Sequence, residues 1–513
     1  MSDISPPAPS HPWYRPGIAD VLFLLVALAA LRGARHSLLD DPGLGWHLRN
    51  IDAMREQGGW LRDDPFGDPR TRDDPVRPWY SNQWLGELPA YLGWKWAGLE
   101  GIAVVNALVL AYLARSLYRA MIDDGLAWPV ALGWSAVGLI GTSCSWNARP
   151  NVFSILFLFF AARACVLLHE GRLSRRASVG IVLLFALWAN AHGGFVAGLA
   201  TVGATCGIEL GAWLALGMRE SKGAFLRSLG LLAAAFVATL INPYGLELYR
   251  WVFQLLGDPF FMDLHQEWRS PDFHSGGAMR YEILILLFPV VLGLSGKRPS
   301  LVEVGLGVLW LHLALTGFRY VALWVVVVLP TMARLSARIG VMEDLAARWK
   351  VTAGPGSLFH TTRAPSPWLA SLLITMALLG WSRYAEGTFA YHDQKIIASD
   401  SLDRLLAMTG EWAEEQERRP RIFHEYNWGG YLTWKGWPGT LTWIDDRNEV
   451  QGKERIERYF AIIAAEPGWE KWLADIDWVC IAPMTPLAAR LRADPRWERQ
   501  HEDDHAVIFE RLR

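Results

Sequence analysis

Apolar stretches long enough to cross a bilayer recur from about residue 18 to 384, and a polar tail follows them. Lipid offers no partner for an unpaired backbone N–H or C=O, so such a chain is confined to a bundle of membrane-spanning helices. The runs lie near 18–36, 101–118, 127–143, 151–169, 177–190, 193–217, 227–242, 281–296, 301–317, 319–335 and 366–384, about eleven in all. The break Asn190-Ala191-His192-Gly193-Gly194 leaves 177–217 open to two helices or one interrupted helix. Composition agrees: of 513 residues, 52% are hydrophobic and 19% charged, below the quarter or so usual in soluble chains. Many of the 28 tryptophans lie near the ends of apolar runs, where an amphipathic ring sits at headgroup level.

A net charge of −2 gives no basic footprint for nucleic acid. Cys144, Cys165, Cys206 and Cys480 have neither CxxC nor metal-ligand spacing, so no disulfide framework and no structural zinc is expected. No small-residue cleavage site follows the run Ala19–Leu31, which is expected to be a retained span.

Basic residues in the short loops set the expected orientation. With the N-terminus in the cytoplasm, Arg119, the Arg172/Arg175/Arg176 group, Arg219/Lys222/Arg227, Lys297/Arg298 and Arg334/Arg338/Arg348/Lys350 all fall inside. The polar clusters that break the apolar sequence then all fall outside: Asp40/Asp41/His47, Trp146–Asn151, Asn190/His192, Asn242–Gly245, His265–Trp268 and Gly317–Tyr320. One-sided clustering points to a single site at the outer leaflet. A transporter site near the midplane scatters such residues through the spans.

Two carboxylates and an imidazole in Asp40-Asp41-Pro42-Gly43-Leu44-Gly45-Trp46-His47, where the first span leaves the lipid, are the leading catalytic candidates, because ionisable groups at that depth are costly. A carboxylate there suits a general base, a metal ligand or a cation binder. The alternative is an Asp-Pro helix start, aspartate being a favoured N-cap and proline a favoured first helical residue. The long first outer loop, 37–100, adds Asp63-Asp64-Pro65-Phe66 and Pro78–Glu87. The second stretch interleaves aromatics (Trp79, Tyr80, Trp84) with amide and acid groups (Asn82, Gln83, Glu87) in a way that suits a sugar, ring faces stacking and hydroxyls bonding to the amides and acid, or else it is an amphipathic surface helix. Arg149, Arg319 and His192 are candidate phosphate binders, with Asn151, Asn190, Glu267 and Tyr320 beside them as further substrate-binding candidates. For the arginines the alternative is a snorkelling anchor, and for His192 a helix break. His265 and Glu267 have HxE spacing, a weak metal signal.

The tail, 385–513, reads as a small α/β domain behind the spanning region 1–384. Leu402–Gln416, Ile456–Ala465 and Pro486–Leu491 have helical spacing, and Leu441–Ile444, Trp478–Ile481 and Ala506–Phe509 read as strands. Glu425–Leu432 and Ile444–Arg447 fall at strand ends, placed to cover the membrane site or, for Gly429-Gly430, to make a turn. A surface helix, Met342–Lys350, and a Gly/Pro connector are expected before the last span. There is no Walker phosphate loop, Gly-x-Ser-x-Gly elbow or HExxH helix.

Taken together, these features resemble the GT-C superfamily of integral membrane glycosyltransferases. The chain is similar most of all to a group of bacterial polytopic membrane proteins sharing Asp41-Pro42-x-Leu44-x-Trp46-His47, Asp64-Pro65-Phe66, Trp84-Leu85-x-Glu87, Arg149-Pro150, Asn190-x-His192, Asn242-Pro243-x-Gly245, Glu267-Trp268 and Trp428-Gly429-Gly430-Tyr431. The resemblance implies a GT-C-like α-helical bundle of about eleven spans with an extracytoplasmic C-terminal α/β domain in the bacterial inner membrane. It implies transfer of a sugar from a polyprenyl-phosphate donor to a glycan or lipid acceptor, with Asp41, or secondarily Asp40, as base. Inversion at the anomeric carbon is implied likewise. Gly43 stands where the group often has a second aspartate, which counts against an Asp-x-Asp metal site; a divalent metal is the one candidate cofactor. Two rivals are a non-catalytic scaffold or lipid-glycan binder, favoured by Gly43, and a transporter or flippase. The second predicts more ionisable residues within spans than Glu209, Glu303 and His312 provide.

Overall fold

The structure is a computed structural model that describes residues 17–34, 37–71, 78–264, 266–340, 344 and 397–512. Every apolar run up to residue 335 coincides with a helix. They are α1 (Ile18–Arg32), α3 (Trp84–Asp123), α4 (Trp128–Thr142), α5 (Asn151–His169), α6 (Arg175–Ala191), α7 (Phe195–Leu214), α8 (Ser221–Thr239), α11 (Gly276–Leu294), α12 (Leu301–Thr316) and α13 (Val321–Ser336). Between them lie α2 (Leu44–Gln57) and the short α9 (Glu247–Leu256) and α10 (Pro259–Leu264). Among the described residues six segments are long and apolar enough to cross a membrane: Trp84–Asp123, Asn151–His169, Phe195–Leu214, Ser221–Thr239, Gly277–Leu294 and Phe318–Ser336. The chain is a multi-pass membrane protein. The run at 366–384, His265, the connector, and all of Met342–Lys350 but Asp344 lie outside the described residues.

The 177–217 stretch is two helices. His192 is extended, with φ −168° and ψ 144°, which ends α6. Gly194 then lets the turn press on α5, where a Cβ would lie 2.3 Å from Ser154 Oγ. Trp84–Glu87 begins a helix that bends at Ala97-Gly98, where Gly98 takes φ +62°. Past the bend its two arms touch backbone to backbone, so that a Cβ on Gly101 would meet the Gly93 carbonyl at 1.9 Å.

The tail contributes α14 (Ser399–Gln416), α15 (Gly429–Gly436), α16 (Asn448–Ile463) and α17 (Pro486–Ala493) around a mixed sheet of β1 (Ile422–His424), β2 (Trp478–Ile481), β3 (Trp497–Glu502) and β4 (Val507–Arg511). Strand order is β1-β2-β4-β3, with β1 parallel to β2 and the other pairs antiparallel. Leu441–Ile444 is not a strand of this sheet. Thr442 instead bridges the first loop, its N–H donating to the Phe66 carbonyl at 2.9 Å and its carbonyl accepting from Asp68 N–H at 2.9 Å.

The first loop and the tail are thereby one cap over the bundle. Gly429-Gly430 opens α15 where it crosses α2, rather than making a bare turn. A Cβ on Gly430 would lie 2.0 Å from the Pro42 carbonyl, and one on Gly45 would lie 2.0 Å from the Gly430 carbonyl. Only glycines allow two backbones this close.

Candidate functional site

The loop after α1 delivers Asp41 to the seam between bundle and cap. Its Oδ1 accepts from Gly43 N–H at 2.8 Å, an Asx turn that feeds α2. Arg149, just before α5, closes a two-point pair on it: Nη2 donates to Oδ1 at 2.7 Å and Nε donates to Oδ2. Asn147 Nδ2 adds a contact to Oδ2 at 3.3 Å. Asp41 has no exposed surface, whereas the Arg149 side chain keeps 29% exposure. The Arg149 Nη2 also reaches Asp446 Oδ2 of the tail at 3.4 Å, and Trp46 Nε1 donates to Asp446 Oδ1 at 2.8 Å. One guanidinium therefore bridges a membrane-domain carboxylate and a tail carboxylate. Gly43 makes room for this: a Cβ there would sit 2.5 Å from Asp446 Oδ2.

Burial alone would raise the Asp41 carboxyl, but Arg149 outweighs it and holds the group below the usual carboxylate range. For Asp446 burial prevails over Arg149, and Asp41 and Asp445 push the same way, so it is raised. Glu449, in the first turn of α16, is pushed by burial up to about 7.

Two adjoining cavities open beside this cluster. The smaller, about 140 Å³, is polar and is bordered by His47, Arg149, Glu267, Arg319, Asp446 and Glu449. The larger, about 370 Å³, runs on into apolar wall from Val196, Ala200, Val252, Leu256, Leu309 and Leu323. Gln83, Asn151, His192, Trp268, Arg319 and Glu449 border both. His47 Nδ1 is held 2.8 Å from Glu87 Oε1, and Asn50 Nδ2 donates to Glu87 Oε2 at 2.6 Å, so Glu87 orients His47 from behind. His192 Nδ1 accepts from Gly194 N–H at 3.0 Å and from Ser154 Oγ at 2.7 Å, the Ser154 oxygen accepting in turn from Trp188 Nε1 at 2.7 Å. Burial, helped by Arg319, His47 and Arg149, lowers His192 to about 3, so it is a neutral ring whose Nε2 carries the proton. Arg319 lies 4.0 Å over the Trp268 ring and 3.5 Å from Glu267 Oε1.

Of the residues singled out in the sequence, His47, Arg149, Asn151, His192, Glu267, Arg319 and Tyr320 border the cavities. Asp41 lies behind Arg149, and Asp40 is exposed outside them. Trp84 Nε1 donates to Asn190 Oδ1 at 3.0 Å, and Asn190 Nδ2 donates to the Ile241 carbonyl at 2.7 Å; this pair ties α3 to α6. Sequence reading did not single out Glu449, and it placed Asp446 only in a strand-end loop that could cover the site; Asn82 and Gln83 fell within the aromatic-amide stretch read as suited to a sugar, and Glu449 and Asp446 are the two that it left without a role. These two come from about 400 residues away, and the only hint was the acidic run at a strand end. Both Asp41 oxygens are engaged by a guanidinium, and among the described residues no group of three His, Cys, Asp or Glu is arranged to hold a metal.

Bundle, cap and seam define a polytopic membrane protein with a GT-C-like fold, similar to several solved structures. The archaeal oligosaccharyltransferase of Archaeoglobus fulgidus, solved with a tethered acceptor peptide, superposes with TM-score 0.56 at 11% identity over 92% of this chain and 70% of that one. The archaeal oligosaccharyltransferase AglB from Archaeoglobus fulgidus, in complex with an inhibitory peptide and dolichol-phosphate, gives 0.56 at 11% over 90% and 69%. ArnT from Cupriavidus metallidurans, bound to undecaprenyl phosphate, gives 0.50 at 13% over 95% and 97%. No described family and no curated protein sequence matches the chain.

Proposed function

We propose that the protein transfers a sugar from a polyprenyl-phosphate donor to a glycan or lipid acceptor at the outer leaflet of the bacterial inner membrane. The observation that carries this reading is the polarity gradient along the adjoining cavities, an apolar chamber that ends among Arg319, His192 and Arg149. A polyprenyl chain suits the apolar end, and a phosphate suits the donors at the other. The similar folds solved with dolichol-phosphate and with undecaprenyl phosphate support the same chemistry.

In the proposed reaction the phosphate draws Arg149 toward itself and loosens its grip on Asp41. Asp41, ionised at neutral pH, takes the proton of the acceptor hydroxyl, and that oxygen attacks the anomeric carbon. The bond from that carbon to the phosphate oxygen breaks, and the lipid phosphate leaves with the electron pair. Arg149 and Arg319 offset its charge. Attack opposite the leaving group inverts the anomeric centre. The test is sugar transfer by purified protein from polyprenyl-phosphate sugars, lowered roughly 100-fold or more in Asp41→Asn.

A second reading, a non-catalytic lipid-glycan binder, is favoured by one observation: Asp41 has no exposed surface and both its oxygens are engaged. It predicts donor binding without turnover.

A further inference from the structure

The wall of the larger cavity carries carboxamides whose hydrogen-bonding capacity is not used. Asn82 is 3% exposed, and neither Nδ2 nor Oδ1 has a partner. Turning the amide over leaves the same deficit, one donor pair and one acceptor. Asn151, across the seam at the start of α5, has an unpartnered Oδ1, while its Nδ2 reaches Asn147 Oδ1 at 3.4 Å. Gln83 borders the same space. Asn82 faces Gly193, where a Cβ would come into van der Waals contact with Asn82 Nδ2 at 3.9 Å. Buried polar atoms in folded proteins are nearly always satisfied, and two orphaned amides on one cavity call for a missing partner.

The chemistry of the deficit restricts that partner. Donor and acceptor capacity go unused together. A carboxylate satisfies only donors and an ammonium only acceptors, whereas a hydroxyl does both. Trp310 and Trp268 also border the cavity.

We infer that Asn82 and Asn151, with Gln83, form the subsite for the glycosyl ring of the donor, and that this ring is a neutral sugar read through its hydroxyl groups. This rests on the lipid-phosphate reading above but not on any role for Asp41.

The experiment is affinity measurement by native mass spectrometry on the full chain in lipid nanodiscs. The probes are undecaprenyl phosphate, its glucosyl ester and its glucuronosyl ester. The wild type is expected to bind the glucosyl ester about tenfold more tightly than the bare phosphate, the worth of one or two well-made hydrogen bonds. The glucuronosyl ester, which keeps the ring hydroxyls but carries a carboxylate at C6, should gain less. Asn82→Leu, similar in shape but apolar, should keep the affinity for the bare phosphate, lose the sugar increment, and melt no lower than wild type. Should that variant fail to fold, Asn151→Leu removes the other amide instead, and the same loss is expected.

An increment that survives both substitutions overturns the assignment. So does a wild type that prefers the glucuronosyl ester, or one that gains nothing from any sugar while still binding the bare phosphate; in these cases the lipid-phosphate reading stands. Failure to bind the bare phosphate overturns both.

Discussion

Three consecutive tail residues serve two ionic clusters, and the clusters differ in kind. Asp445 and Arg447 face into the cap. Arg447 Nη1 donates to Asp64 Oδ1 at 2.7 Å, its Nη2 to Asp445 Oδ2 at 2.5 Å, and Gln451 Nε2 fills Asp445 Oδ1 at 2.9 Å. The guanidinium is enclosed by Phe66 and Trp79, at 5.0 and 5.1 Å from its carbon. Every charge there is answered, and the product is a latch between the first loop and the tail. Asp446 faces the other way, onto Arg149 and the cavity. There one cation serves two carboxylates, the cation is partly exposed, and a neighbouring acid is held near neutrality. A closed cluster fixes geometry; an open one keeps capacity for a ligand.

The largest expected effect falls on the latch. Arg447→Ala strands Asp64 and Asp445 in a buried site and should cost about 3–5 kcal/mol, the penalty for breaking a buried pair from one side. Thermal unfolding and limited proteolysis should show the tail released, with function lost only because the cap is. A variant that melts like wild type would mean the latch is not structural.

Next comes the crossing that holds the two clusters in register. Gly430→Ala pushes a methyl into the Pro42 carbonyl and should cost about 1–3 kcal/mol as α2 and α15 move apart. Donor affinity should fall with it, because Asp446 is carried away from Arg149.

The smallest effect is a pH slope. A carboxyl whose folded value is raised to about 7 keeps its proton in the folded protein after the unfolded chain has lost it. Stability associated with Glu449 is therefore full below the ordinary glutamate range and is lost as pH rises toward 7. Glu449→Gln should flatten the melting-temperature profile between about pH 4.5 and 7 and leave the slope above 7 unchanged. An unaltered profile would place Glu449 in water rather than in the cavity.

The sequence was informative where a local rule governs the outcome. Apolar runs became helices because lipid leaves no alternative, and His192 with Gly194 split α6 from α7 for reasons visible in five residues. It was silent where partners are far apart. Leu441–Ile444 has strand composition, yet its partner is the first loop, some 370 residues earlier, and no periodicity encodes that pairing. Asp446 shows the same limit: nothing local tells it from Asp445, and only the fold sends one inward and the other to Arg149. Asn82 sat inside an aromatic-amide motif, but its significance lies in hydrogen bonds it does not make, which sequence does not record.

The open cluster is the heart of the proposed chemistry, and Asp41→Asn probes it most directly. The substitution removes the charge but keeps the shape, and Arg149 retains Asp446. With purified protein and a polyprenyl-phosphate sugar, turnover should fall by roughly 100-fold or more, the usual worth of a general base, while donor binding and melting behaviour stay close to wild type. Undiminished turnover in folded Asp41→Asn would contradict the assignment of Asp41 as the base.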